Sequence, residues 1–177
     1  MNKTILLILM IITGNSLKAQ EVPEIPFVDG EVVYTEVVES NLNKDELYRN
    51  AKSWIASYFI SSKDVIDLQD QEAGKIIGKA ILKPKLSYLG QSRHADVNIS
   101  FQIDCKDGKY RYIIKVLDYY HAQTAQSIPE LIEIAHGRKK TLTNTKSYAK
   151  KQIEGLSNSI NDLIISLKKN ILINDDF

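Results

Sequence analysis

Hydrophobic and polar residues alternate most cleanly between Asp96 and Tyr119. Val97, Ile99, Phe101, Ile103 and Cys105 fall on one face, and Asp96, Asn98, Ser100, Gln102 and Asp104 on the other, the two-residue period of a half-buried strand. Asp107-Gly108 follows, a pair that tolerates positive φ at both central positions of a tight turn. A two-residue turn there sets Phe101 against Ile114, Ile103 against Tyr112 and Ile99 against Val116 on the apolar face. On the reverse face Asp104 meets Arg111 and Ser100 meets Lys115. A register that matches apolar with apolar and acid with base on opposite faces predicts a hairpin.

Upstream, Glu31 to Glu39 is rich in Val, with Tyr34 and Thr35, and predicts a strand. Asn43, three residues before Glu46, predicts a helix cap with a carboxylate reaching back. Behind it Leu47, Ala51, Trp54, Ile55 and Tyr58 form one helical stripe. Val65 to Gln69 reads as a short strand and Lys75 to Lys83 as a longer one, ended or placed at a sheet edge by Pro84. Gly78 and Ala80 share a face of that strand, so something bulky comes close; the helix bearing Trp54 is the natural candidate. Residues 120–143 show no firm period, although Pro129 to Glu133 has the makings of a short helix and 136–140 reads as solvated loop. From Thr145, Ala149, Ile153, Leu156, Ile160, Leu163 and Leu167 mark a long amphipathic helix, slightly weakened by Gly155.

The order strand, helix, four strands, helix defines an α+β chain. Two amphipathic helices need an apolar sheet face, and a right-handed crossover through the first helix leads to a curved five-stranded antiparallel sheet in the order 1-5-4-3-2. Both helices then pack on one face. The other is open and carries Ile77, Lys79, Ile81, Gln102, Arg111, Ile113, Lys115, Leu117 and Tyr119. So many apolar side chains call for cover, either by residues 120–143 or by a partner.

The first 19 residues have the pattern of a secretory signal: Lys3, then eight apolar residues from Ile5 to Ile12, then a polar break before Ala19. Eight is far short of the roughly 20 that a spanning helix needs. The reading is therefore a signal peptide (1–19) cleaved after Ala19, an extended lead (20–30) with two prolines, and a single domain (31–173). That leaves 158 of the 177 residues, one ordinary domain. It also takes Lys3 and Lys18, so 21 basic residues face 22 acidic ones. A chain of net charge near zero, bound for the periplasm or secretion, is not expected to bind nucleic acid.

This arrangement resembles one half of the TATA-binding-protein fold. The residues that carry the likeness are Asp29-Gly30, Leu47-Tyr48-x-x-Ala51-x-x-Trp54, Gly74-x-Ile76-x-Gly78 and Asp107-Gly108-Lys109-Tyr110-Arg111. In that order, over roughly residues 28–118, the chain resembles a Bacteroidetes family of exported proteins of unknown function with a TBP-like fold. The resemblance implies a fold and an export route, with no catalytic residues to carry over.

The residues themselves offer no catalytic constellation. Gly74-Lys75-Ile76-Ile77-Gly78-Lys79-Ala80 lacks the spacing, the hydroxyl and the following helix of a phosphate-binding loop. Cys105 falls on the apolar face, the setting of an inert thiol, and rules out an intrachain disulfide because it is the one cysteine. His94, His121 and His136 show no helical pair spacing for zinc, and no cofactor or metal is expected. Three functions remain open: a non-catalytic binding module for a protein or envelope ligand, using the open face; a small hydrolase with His94, Asp96 or His121 at the strand ends; and an envelope subunit that self-associates.

Overall fold

The computed structural model describes residues 21–59 and 65–173; the expected signal peptide lies outside them. Among the described residues eight strands form one sheet: β1 (Phe27–Val28), β2 (Glu31–Glu39), β3 (Ile66–Asp70), β4 (Lys75–Leu82), β5 (Lys85–Tyr88), β6 (Gln91–Lys106), β7 (Lys109–His121) and β8 (Thr124–Ala125). The same residues form three helices, α1 (Lys44–Tyr58), α2 (Ile128–His136) and α3 (Lys146–Ile171). The expected five strands in the order 1-5-4-3-2 are corrected to a path β1-β2-β7-β6-β4-β3, with β5 attached to β6 and β8 to β7.

The three additional strands were hidden by their turns. The β5–β6 turn puts Leu89 (φ 49°) in the left-handed region, and the β7–β8 turn puts Ala122 (48°) and Gln123 (64°) there. None of these residue types announces a hairpin. The β1–β2 turn does use Asp29-Gly30, but its strand is two residues long and follows two prolines.

The hairpin of β6 and β7 holds the expected register from Lys106↔Lys109 to Ile99↔Val116. There the register shifts: Asn98 pairs with Asp118, so Leu117 is an extra residue in β7. A one-residue bulge reverses every later side chain. Tyr110, Tyr112, Ile114 and Val116 point into the core before it, and Tyr119 does so after it.

Helix α1 starts as expected. The Asn43 side chain accepts from Glu46 N–H (3.0 Å) and the Glu46 carboxylate accepts from Asn43 N–H (2.8 Å). Leu47, Ala51 and Ile55 are fully buried, and the Trp54 indole donates to Ser166 Oγ on α3 (3.1 Å), so α1 and α3 share one side of the sheet. Asn50, also buried, donates to the carbonyls of Ile171 (3.0 Å) and Ile173 (2.8 Å), where the end of α3 has no helical partner for them. Gly155 lets α3 lie against β5: a Cβ there would come 2.4 Å from Leu86 Cδ2.

What approaches Gly78 is not the Trp54 helix but the Phe101 ring and the Val65 carbonyl. Phe59, one residue past α1, stacks on Phe101 at 5.8 Å and 5°.

Residues 120–143 fold toward α3. Helix α2, capped by Ser127 and ended by Gly137 at φ 79°, buries Leu131, Ile134 and Ala135 and packs on α3. The basic run after it is folded back: Arg138 bonds Glu133 through two nitrogens (2.9 and 2.7 Å) and Lys139 reaches Glu130 (2.8 Å).

Candidate functional site

Alternation along the central strands decides what faces away from the helices. In β4, Ile76 is fully buried, so Ile77, Lys79 and Ile81 point outward. In β6 and β7 the outward set is Ser100, Gln102 and Asp104 with Arg111, Ile113 and Lys115. Registers add Leu68 beside Ile77, and Val37 beside Arg111. Of the nine residues expected on this face, Tyr119 does not belong to it. The bulge at Leu117 turns it inward, where it is 1% exposed and donates to Gln152 on α3 (3.4 Å). Leu68 and Val37 join the surface without having been anticipated. Their positions were legible only once the neighbouring registers were known.

Among the described residues no helix or loop lies over this surface. Ile81 is 58% exposed, Val37 54%, Leu117 48% and Leu68 45%. The charges between them neutralise one another. Asp104, the least exposed, accepts from Gln102 Nε2 (2.8 Å) and from Arg111 (2.7 Å), with Lys75 at 3.9 Å. Lys79 reaches Asp67 (3.4 Å) and Lys115 reaches Glu31 (2.7 Å). The face is apolar with internally paired charges rather than basic. Asp104→Ala is expected to cost only about 1 kcal/mol, because Arg111 is half exposed and its ion pair is screened. A urea titration measures it.

The groups considered for catalysis do not converge. Ala95 is buried, so His94 and Asp96 on either side of it point away from the helices. Asp96 lies 3.9 Å from Lys83. His121, paired with Ala95, points to the helix side, where its Nε2 meets the Tyr148 hydroxyl. Cys105 is 1% exposed; burial, and then the Asp104 charge, push its thiol up to about 12, far from thiolate at neutral pH. No group of three or more His, Cys, Asp or Glu able to hold a metal occurs among the described residues.

His121 does give the fold a pH dependence. Burial, then the nearby Arg93 charge, hold its pKa below the ordinary imidazole value. Unfolded, it titrates near about 6.5, so below that pH the unfolded chain binds the extra proton first and stability falls with pH until the folded ring titrates too. Denaturation midpoints between about pH 7.5 and 5 are expected to fall less steeply in His121→Gln than in the parent.

The fold defines a class: an antiparallel sheet with helices on one side and, among the described residues, the other side bare. A family model described as a domain of unknown function (DUF4468) with TBP-like fold matches residues 34–120. Over those residues the chain matches the DUF4468 family. A crystal structure of a DUF4468 family protein from Bacteroides ovatus is similar to it with a TM-score of 0.66 at 18% identity, over 86% of this chain and 93% of that one. A TBP-like protein from Parabacteroides distasonis gives 0.58 at 16%, over 82% and 98%. At these identities the likeness speaks for the fold alone. No curated protein matches the chain. No helix among the described residues is long and apolar enough to cross a membrane.

Proposed function

We propose that this chain is an exported, non-catalytic binding module whose open sheet face takes a protein or envelope ligand. The observation that carries this reading is the spread of exposed Val37, Leu68, Ile81 and Leu117 over a sheet face that no described element covers. Isolated exposed apolar side chains are ordinary, whereas several on one sheet face favour association, each contributing on the order of 25 cal/mol per Å² removed from water. The signal-like first 19 residues support export.

A photo-crosslinking residue placed at Ile81 tests the reading against one placed at Ile165, which is 63% exposed on α3. The expected result is a discrete envelope adduct from position 81 that is absent from position 165. It should also be lost when Leu117 is changed to Asp. Equal labelling from both positions, or none from 81, would refute the binding face. Because the charges on this face are already paired, capture is expected to change little between about 50 and 300 mM salt, in contrast to a basic surface steering an acidic partner.

A further inference from the structure

A second site lies on the helix side, away from the open face. The β5–β6 hairpin curls against the approach to α3 and leaves a cleft of about 450 Å³, lined by Tyr88, Leu89, Gln91, Arg93, Thr145 and Tyr148 among others. Its walls are held in place. The Tyr88 hydroxyl bonds Thr145 Oγ1 (3.3 Å) and Ser147 Oγ (3.1 Å), and the Tyr88 and Tyr148 rings lie 4.7 Å apart at 51°. The Tyr148 hydroxyl is anchored below by His121 Nε2.

Among the described residues Arg93 is the one charged side chain lining this cleft. Its guanidinium sits 5.9 Å from the Tyr148 ring centre and bonds the Gln91 side-chain oxygen (3.2 Å), and it has no carboxylate partner among the described residues. Arg111 and Arg138, by contrast, are each tied to an acid. An arginine backed by an aromatic ring, with its remaining donors free, is set to take a carboxylate through two parallel hydrogen bonds. Leu89 stands on the rim, 86% exposed and in the left-handed backbone region that leucine disfavours. It offers apolar contact where local folding gains nothing from it.

From these features we propose that the cleft binds a small carboxylate carried on a ring. The carboxylate lies on Arg93, the ring lies against Tyr148 and Leu89, and the Gln91 amide takes a polar substituent. A volume of about 450 Å³ is enough for one ring or two.

Titration of the purified protein, followed by backbone amide resonances, tests this with benzoate and glucuronate, each beside its neutral counterpart, benzyl alcohol and glucose. A saturable shift at Gln91, Arg93 and Thr145–Tyr148 with either acid, and not with its neutral counterpart, is the expected result. Which acid binds then tells whether the ring is aromatic or polyhydroxylated. Arg93→Gln should weaken binding at least about tenfold. Leu89→Gly, which relieves the backbone and cannot unfold the hairpin, should weaken it about threefold. No saturable shift with either acid, equal shifts with the neutral compounds, or unchanged affinity in Arg93→Gln would overturn the assignment.

Discussion

Replacing Trp54 with alanine is expected to remove about 4 kcal/mol of folding stability, the largest loss from any single side chain discussed for this protein. Trp54 is 3% exposed and packs edgewise on Phe59 (5.8 Å) and tilted against Tyr58 (5.4 Å). Phe59 in turn stacks on Phe101 of β6, so the indole links α1 to the middle of the sheet. Its N–H also donates to Ser166, which ties α1 to α3. Truncation removes packing on both sides and leaves a cavity that neither helix can close without losing its seat on the sheet. Trp54→Phe should cost less, about 1–2 kcal/mol, since most of the volume stays and one hydrogen bond goes. Urea denaturation followed by circular dichroism separates the two variants. A loss under about 1 kcal/mol for the alanine variant would contradict the packing described.

Gly78→Val is expected to cost about 3 kcal/mol or more, through crowding rather than a cavity. A Cβ at Gly78 would lie 2.2 Å from the Val65 carbonyl oxygen and 2.6 Å from Phe101 Cζ. The carbonyl is backbone and already accepts from Lys79 N–H (2.8 Å), so it cannot step aside without breaking the bond that seats the start of β3 on β4. Phe101 is 4% exposed and pinned by Phe59. Gly30→Ala provides the comparison: nothing lies within 4 Å of that Cβ, so only the positive φ of 82° opposes it, at about 1 kcal/mol. Similar losses for the two variants would mean that the contact at Gly78 is not what constrains that position.

These two positions show how far the chain could be read before folding. Trp54 announced itself through its place in a helical stripe, and Gly78 through an alternation that put small residues on one strand face. The identity of Gly78's neighbour was not readable, because Phe101 arrives by a pairing 23 positions further along and Val65 by an irregular register. The open face was legible for the same reason as the hairpin. Its members follow a two-residue period that begins at a recognisable Asp-Gly turn. Tyr119 fell outside that logic, since a bulge has no marker in the residues around Leu117 and moves everything beyond it to the other side. The Arg93 cleft gave no sequence signal at all. Tyr88 and Tyr148 stand 60 positions apart, and the turn that brings them together is built on a left-handed leucine.

Local chemistry along the chain determined the strands with clear alternation, the capped first helix, the long last helix and the pairing of β6 with β7. All of these depend on interactions within a few residues of one another or across one short turn. Only the tertiary structure decided which way residues 120–143 would go and that they would leave one side of the sheet uncovered. Helix α2 has apolar residues enough to cover either surface, and it lies on α3 because Leu131, Ile134 and Ala135 bury fully there. That choice is a competition between two distant apolar surfaces, and no local pattern in the chain encodes its outcome.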